Sequence, residues 1–461
     1  MTLESKTYLA VFLALASAVL FNATVPLYID EAYYWLWSRH LSLSYYDHPY
    51  MIAYFIKLST LFGDQAWMIR MVNVVCFSGA AYFAFKTADF LFDRRTALYT
   101  LILFILSPAV TLGLTITTPD SPLILFWSAS LYFAAKAFFE KRLLDYLLAG
   151  LMVGFALSSK YTGILLLISL FLFLAVKEPK ELITSRPYLA VLACLLAFMP
   201  VIAWNVQNDF ISFAFQYRHG HSGGGNELRL MDDLAFFGGM AGMFNPVFFL
   251  LLLYLFFQKE SYTDKKQFFL ILPALFTIVF FLYKGIYKKM ELNWVAPAFV
   301  SASIAVAHLA ARRNLVKTFY AGITLSVIVM LVIRFPLFFG LEGKQNPHNR
   351  LFGYEELAHH IQTYPDQPLF AEHLTLASSL TYYLGKEVWV PIPTRKSQFD
   401  WWQKGIDFRR QSGLYISKND RTDELKTLWN HVKLREIYTV RKSGFKDKSF
   451  YIYDVSNPKK P

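Results

Sequence analysis

The chain has 461 residues, of which 55% are apolar, 18% aromatic and only 17% charged, and its mean hydropathy is +0.35. Soluble domains carry about 25% charged residues, so the composition excludes an ordinary soluble enzyme, and the aromatic content excludes a disordered chain. The two cysteines, Cys76 and Cys194, lie in apolar runs, which excludes a disulfide framework. The formal charge of +12 lies in short clusters between apolar runs. That pattern is typical of a polytopic membrane protein and does not indicate a nucleic-acid partner.

Apolar runs follow one another over the first 340 residues. A membrane-spanning helix needs about 20 predominantly apolar residues. On this basis the sequence predicts an all-α transmembrane domain over residues 1–344, with about eleven spans. These are residues 7–27, 66–85, 97–117, 121–138, 143–158, 161–176, 188–206, 234–257, 268–283, 292–311 and 318–340.

Basic residues are concentrated in alternate loops between these runs. Because loops rich in Lys and Arg stay in the cytoplasm, the N-terminus is predicted to be cytoplasmic, and the long loops 28–65 and 207–233 extracytoplasmic. After an odd number of spans, residues 345–461 are predicted to be extracytoplasmic too. There, the short apolar stretches Glu387–Pro391 and Glu436–Val440 alternate with helix-like stretches, which predicts a small α/β domain. Those helix-like stretches are Tyr354–Tyr364 and Arg421–Val432.

Two acidic positions are candidates for catalysis. Asp30 and Glu31 directly follow the first span, and the aromatic residues after them predict a helix lying in the membrane interface. Asp120 lies between two prolines at a predicted helix start. Two carboxylates in one external vestibule would serve as base and orienting group in a displacement reaction. The alternatives are an aromatic belt with an acidic cap for the first position and a helix cap for Asp120.

Cationic and polar residues are predicted on the same external side. Lys160 lies in a tight turn between two spans, Arg218 and His219 lie in the loop 207–233, and Lys289 shortly precedes Asn293. Cations at the external interface suit a phosphate at headgroup depth, and snorkelling to lipid is the alternative. Asp47 with His219 and His221 is a candidate set of ligands for a divalent cation, against the alternative that each is a polar loop residue.

The order of these motifs resembles a known superfamily. Taken together they are similar to the GT-C polyprenyl-phosphate-sugar glycosyltransferases, and in particular to the bacterial branch of the protein O-mannosyltransferase family that includes the lipid A aminoarabinose transferases. The resemblance extends into the C-terminal domain through Leu376–Leu380 and Ser397–Asp400. The motifs are Asp30-Glu31, Asp47-His48-Pro49, Thr118-Pro-Asp120, Ser159-Lys160, Arg218-His-Gly-His and Met290-Glu-Leu-Asn-Trp294.

The resemblance implies a multi-pass bacterial inner-membrane enzyme with interfacial helices and an extracytoplasmic active site. It implies a donor whose sugar is linked by a phosphodiester to undecaprenol or a similar lipid, inversion at the anomeric carbon, and a lipid or glycan acceptor such as lipid A. Asp30 matches the family's first-loop catalytic aspartate and Asp120 its second acidic position. Tyr50 replaces the second proline that relatives carry after Asp47-His48-Pro49. The residues assigned to binding of the donor phosphate or the acceptor are Glu31, Asp47, His48, Lys160, Arg218, His219, Lys289, Glu291 and Asn293.

Two other functions stay open at this point. A transporter or flippase would use the same charges as an ion or proton path, although the acidic candidates lie at one surface and no inverted repeat is found. A non-catalytic envelope scaffold is the third hypothesis. The sequence also leaves four candidates for the transferred sugar, namely aminoarabinose, galacturonic acid, a hexosamine and a hexose.

Overall fold

The computed structural model describes residues 2–221, 229–408 and 411–458. The chain divides into two compact units. The first, called here the helical unit, consists of Met1–Ala23 and Ser42–Leu331. The second, the C-terminal unit, consists of Thr24–Leu41 and Val332–Pro461. Residues 28–41 of the first predicted external loop therefore belong with the C-terminal residues, while the boundary at residues 344 and 345 stays a prediction.

Helices coincide with every predicted apolar run. Over the first 334 residues they are α1 (Leu3–Asn22), α2 (Ile29–Arg39), α3 (Met51–Ser59), α4 (Ala66–Leu91), α5 (Arg94–Leu106), α6 (Pro108–Thr115), α7 (Asp120–Glu140), α8 (Leu143–Ser159), α9 (Ile164–Lys177), α10 (Arg186–Gln207), α11 (Ile211–His221), α12 (Leu230–Phe244), α13 (Pro246–Phe256), α14 (Glu260–Thr263), α15 (Lys265–Gly285), α16 (Ala298–Arg312) and α17 (Val316–Arg334).

Helix length supports fewer spans than the eleven predicted. Six helices of the described residues are long and apolar enough to cross a membrane, namely α1, α4, α7, α10, α15 and α17. The number becomes eight if the bent pairs α5–α6 and α12–α13 each form one span. Three shorter apolar helices occupy residues 143–159, 161–177 and 298–312. The helical, membrane-spanning character of the chain is confirmed, but the count of eleven is not.

The predicted span 234–257 is broken in two. Its halves, α12 and α13, meet at 111°, with Asn245 between them at φ +87°. The Asn245 amide donates to the carbonyl of Gly322 at 2.8 Å and to Oγ of Ser326 at 2.9 Å, and its oxygen accepts from the backbone N–H of Val247. Pro246 cannot continue a helix because it has no N–H. A proline and a well-bonded asparagine therefore turn the chain where the apolar composition predicts one straight helix.

A network of ion pairs joins three loops that the charge pattern assigns to the cytoplasm. Glu181 accepts hydrogen bonds from Lys141 at 2.7 Å and from Arg186 at 3.1 Å. Glu178 binds both Lys141 and Lys265. The ends of α7 and α9 and the starts of α10 and α15 are thus held together by alternating charges.

Small residues let α8 and α10 pack closely. A Cβ placed on Gly150 would lie 1.9 Å from the carbonyl oxygen of Ala190, and one on Gly154 would lie 2.4 Å from that of Cys194. Helix pairs in membranes use such small residues, spaced four apart, to bring their backbones together.

A mixed five-stranded sheet forms the centre of the C-terminal unit. The strand order is β2-β1-β3-β5-β4, with β1 parallel to β2 and β3, and β5 antiparallel to β3 and β4. The predicted α/β domain is therefore present, although the helix expected over Arg421–Val432 is confined to Thr422–Leu425 and a long strand begins at Trp429. The elements are α18 (Tyr354–Ile361), β1 (Leu369–Ala371), α19 (Leu374–Leu384), β2 (Val388–Trp389), α20 (Phe399–Trp402), β3 (Gly413–Ser417), α21 (Thr422–Leu425), β4 (Trp429–Val440) and β5 (Lys448–Pro458).

The aromatic helix α2 is packed within the C-terminal unit. The hydroxyl of Tyr33 accepts from the backbone N–H of Gln398 at 2.9 Å, and its ring stacks on Phe399. Trp37 is completely buried. These rings, which the sequence assigns to the membrane interface, gain their burial from protein side chains.

We expect Gly150→Ala to lower the melting temperature of the purified protein. The added methyl group overlaps a backbone oxygen of α10, and overpacking of this kind costs about 1–3 kcal/mol. Gly242→Ala is the matched control, because a Cβ there meets nothing within 4 Å and alanine is favoured over glycine in helices by roughly 0.5–1 kcal/mol. Equal melting temperatures for the two variants would contradict close packing of α8 on α10.

Candidate functional site

Asp120 is the first residue of α7, and its carboxylate is only 10% exposed. Thr118 lies just before the helix, where its hydroxyl donates to Oδ2 of Asp120 at 3.2 Å and accepts from the Asp120 N–H. A carboxylate in the first turn of a helix is favoured by the helix dipole. The local Thr-Pro-Asp sequence therefore fixes the orientation of this side chain.

Two further predicted residues meet at Asp120. The ammonium of Lys160 donates to Oδ1 at 2.7 Å, and the amide of Asn293 donates to Oδ2 at 2.7 Å. Lys160 stands in extended backbone between the end of α8 and a short 3-10 turn, Tyr161–Gly163. Residues 40 and 173 positions after Asp120 in the chain thus meet at its carboxylate.

This polar centre combines a buried ion pair with an exposed edge. Lys160 is 7% exposed at its side chain, whereas Asn293 belongs to the exposed residues. An ammonium has three donors, and Asp120 is its one hydrogen-bonded side-chain partner among the described residues. The arrangement holds a cation in a fixed position and leaves it donors for an anionic ligand.

Other buried polar residues form hydrogen bonds between α7, α4 and α1. The hydroxyl of Ser121, which follows Asp120, donates to Oδ1 of Asn73 at 2.8 Å. One turn earlier on α4, the completely buried Arg70 donates to the carbonyl of Asn22 at 3.2 Å. Polar groups in a membrane bundle are costly unless bonded, so these contacts support the ends of α1, α4 and α7.

The Asp47-His48 segment forms a second small cluster in the helical unit. The carbonyl of Asp47 accepts from Nε2 of Gln216 at 2.6 Å, and the carbonyl of His48 accepts from the N–H of Tyr45. Arg218 is exposed on the same helix as Gln216, and its Nε donates to the carbonyl of Ala214 at 3.3 Å. The loop is thereby held against α11.

The remaining predicted binding and metal-ligating residues are less constrained. Lys289 and Glu291 are exposed. The side chains of His219 and His221 lie outside the described part of the chain, as do residues 222–228 of the predicted external loop. Among the side chains that are described, no group of three or more His, Cys, Asp or Glu residues is placed to hold a metal ion.

Asp30 and Glu31 lie at the start of α2 in the C-terminal unit. Glu31 is completely buried, and its Oε2 accepts from the backbone N–H of Tyr28 at 2.8 Å, which is the contact of a helix cap. Asp30 instead lines a cavity of about 600 Å³. The two neighbouring carboxylates therefore differ in their surroundings, and Asp30 is the one that a ligand can reach.

Most residues of this cavity are not among those predicted from the sequence. Arg350, Lys418 and Lys448 bring three cations to it, and His373 and Glu372 line it as well. No local motif marks these residues, because they come from four separate loops or strand ends. The other lining residues are Ile29, Asn349, Tyr354, Thr375, Thr394 and Asn419.

Comparison with known proteins agrees with this architecture. Residues 47–204 match the model of the family described as dolichyl-phosphate-mannose-protein mannosyltransferase. The lipid A galacturonosyltransferase RgtD of Rhizobium johnstonii is 26% identical over 290 residues, which is 62% of this chain and 60% of that protein. The chain thus spans less than two thirds of the length of this curated relative.

Solved structures show the same fold. The apo crystal structure of ArnT from Cupriavidus metallidurans superposes with a TM-score of 0.71 at 14% identity, covering 97% of this chain and 98% of that one. The same protein bound to undecaprenyl phosphate gives a TM-score of 0.72 with the same identity and coverage.

These similarities define the class of protein: an integral membrane protein with the GT-C fold. Within that class, the chain is similar in sequence to the lipid A galacturonosyltransferase RgtD and in fold to ArnT. The resemblance that the sequence motifs indicate is confirmed.

We expect Lys160→Met to destabilise the protein strongly. It leaves the Asp120 carboxylate buried without its cation, and breaking a buried pair in this way costs about 3–5 kcal/mol. Thermal unfolding of the purified protein measures the effect. Lys386→Met, which breaks a pair with the 91% exposed Asp366, should cost no more than about 1 kcal/mol.

The double variant Asp120→Asn/Lys160→Met tests the cause of that loss. Because it removes the unpaired charge and keeps the shape of the side chain, it should regain part of the melting temperature. A double variant less stable than Lys160→Met would show that packing, not charge, accounts for the loss.

Proposed function

We propose that the chain is an integral membrane glycosyltransferase that moves a sugar from a polyprenyl-phosphate-linked donor to an envelope acceptor of the lipid A class, with inversion at the anomeric carbon. The observation that carries the proposal is the buried Asp120–Lys160 pair bonded to Asn293, in a fold shared with a protein crystallised with undecaprenyl phosphate. RgtD, the curated relative, is a lipid A galacturonosyltransferase.

Lys160 is proposed to bind the donor phosphate. The leaving group of the reaction is a lipid phosphate, which is already stable as an anion and needs charge stabilisation rather than protonation. A fixed ammonium that has further N–H donors besides the one bonded to Asp120 supplies this stabilisation. Because the ammonium is already in place, the protein need not reorganise during the reaction. Asp120 and Asn293 act through Lys160 by holding the cation in place.

Asp30 is proposed to act on the acceptor. It lines the cavity of the C-terminal unit, where a carboxylate could accept the proton of a sugar hydroxyl or orient it for attack at the anomeric carbon. The prediction that Asp30 and Asp120 share one vestibule stays a prediction.

We further propose eleven spans in a bacterial inner membrane, a cytoplasmic N-terminus, and an extracytoplasmic site. Two features of α7 support the sidedness. Asp120 begins this helix and Lys141 follows its end, about 31 Å away at 1.5 Å per residue, which matches the bilayer core of about 30 Å. Lys141 joins the basic loops predicted to be cytoplasmic, so Asp120 belongs at the opposite face.

The transporter alternative gains no support from the comparisons, because the matched family and the curated relative are transferases. The candidate sugars are aminoarabinose, galacturonic acid, a hexosamine and a hexose.

Mass spectrometry of lipid A and lipid-linked sugars, with and without the gene, tests the function. Loss of one sugar from lipid A, with accumulation of its polyprenyl-phosphate donor, is the expected result. Accumulation of the donor with unchanged lipid A would support the transferase function and show that the acceptor is another envelope glycan. No change in either pool, in cells that express the protein, would contradict the proposal.

We expect Asp30→Asn to abolish transfer while leaving the protein folded. Removal of a general base lowers the rate by about 10²–10⁴-fold, and asparagine keeps the shape of the side chain. Turnover and melting temperature of the purified variant are the measurements. Asp423→Asn, at a 99% exposed aspartate of the same unit, should retain full turnover. Wild-type turnover in the Asp30 variant would remove this residue from the catalytic set.

A further inference from the structure

The cavity of the C-terminal unit has a wall built from the beginnings of three helices. Ile29 and Asp30 start α2, Tyr354 starts α18, and Thr375 lies in the first turn of α19. The N-terminus of a helix carries a partial positive charge and attracts anions. Three such ends lining one cavity favour a negatively charged ligand.

Three cationic side chains line the same cavity, against two carboxylates. Arg350 is exposed, and its Nη1 donates to the hydroxyl of Tyr28 at 2.9 Å. Lys418 is exposed, with its ammonium 5.4 Å from the centre of the Tyr354 ring. Lys448 lies over the same ring at 4.4 Å and donates to the carbonyl of Phe352. Of the carboxylates, Glu372 is buried and accepts from the N–H of Lys418.

Burial and neighbouring cations lower the pKa of two residues that line the cavity. Burial and the nearby Lys418 lower the pKa of Lys448 to about 8. Burial, together with Arg395 and Lys418, lowers the pKa of His373 to about 4. At neutral pH, His373 is therefore uncharged and Lys448 is mostly protonated. A bound anion would relieve the repulsion between the cations.

We propose that this cavity binds a phosphate group of the acceptor. Arg350 and Lys418 are the side chains that contact its oxygens, with Lys448 as a third charge, and the helix ends of α2, α18 and α19 complete the site. Arginine and lysine with helix N-termini form a typical phosphate site. Asp30, on the same wall, would face the part of the acceptor that carries the reacting hydroxyl. The assignment to the acceptor rests on the proposed function, but the anion site does not.

Sulfate titration tests the anion site without any transferase assay. The full-length protein in phosphatidylcholine nanodiscs is titrated with sodium sulfate, at ionic strength held constant with chloride, and its melting temperature is followed. We expect saturable stabilisation of the wild type. Lys418→Gln and Arg350→Gln should each weaken the apparent affinity about tenfold, as expected for loss of a charge-assisted hydrogen bond.

Lys433→Gln is the matched control, because Lys433 is exposed on β4 of the same unit and does not line the cavity. It should bind sulfate like the wild type. Stabilisation of the wild type by sulfate no greater than that by chloride, or unchanged affinity in both cavity variants, would overturn the anion site.

The pH dependence gives a second, independent readout. Sulfate keeps its charge between pH 7 and 9, whereas Lys448 loses its proton as the pH rises through about 8, so affinity should fall several-fold over this range. Lys448→Arg keeps the charge at both pH values and should remove the dependence. An equally steep fall in this variant would contradict the role of Lys448. The groups that face its ammonium are Lys418, Glu356 and Tyr354, with Asp30, Arg350, Glu372 and His373 lining the same cavity.

Steady-state kinetics separates the acceptor assignment from the proposed function. With a phosphorylated lipid A acceptor, Lys418→Gln should raise KM for the acceptor about tenfold and leave KM for the lipid-linked donor unchanged. A rise in donor KM alone would overturn the acceptor assignment. Saturable sulfate binding in a protein without any transfer activity would overturn the proposed function and retain the anion site.

Discussion

The ammonium of Lys160 and the carboxylate of Asp120 are buried among apolar helices, where an uncompensated charge costs several kcal/mol. Each charge is tolerable only if the other is in hydrogen-bond contact, and the second carboxylate oxygen needs a donor as well. Asn293 and Thr118 provide it. The start of α7, the break after α8 and the turn at Leu292–Val295 are consequently held in one arrangement by a single carboxylate.

The same physical constraint distributes polar groups over the rest of the helical unit. Charged residues are stable at the two ends of α7, where Asp120 begins the helix and Lys141 binds Glu178 and Glu181 after its end. Between these ends, α8 and α10 approach through Gly150 and Gly154. Such an arrangement keeps the charges at the helix ends and leaves the interior to van der Waals packing.

The C-terminal unit builds its cavity from residues that are distant in sequence. A small sheet with aromatic residues in its core, among them Trp429 and Tyr453, supports loops and helix starts that are remote in sequence. Helix α2 joins this unit through Tyr33, so that Asp30 faces a cavity lined by residues more than 300 positions later in the chain. Binding residues on loops, positioned by a rigid scaffold, are the usual way in which such a site is assembled.

The sequence by itself determined the class of the protein, because apolar runs, basic loops and helix-start motifs are local signals. Asp120, Lys160 and Asn293 could be selected as candidates from such motifs. Pro246, which separates α12 from α13, can be read in the sequence, although apolar composition alone predicts one continuous helix there. Only the tertiary structure decided that Asp120 bonds to Lys160 and Asn293, that Glu31 caps its own helix while Asp30 lines a cavity, and that Arg350, Lys418 and Lys448 meet there. The physical reason is that these contacts join distant parts of the chain, and their geometry is set by packing that no local pattern encodes.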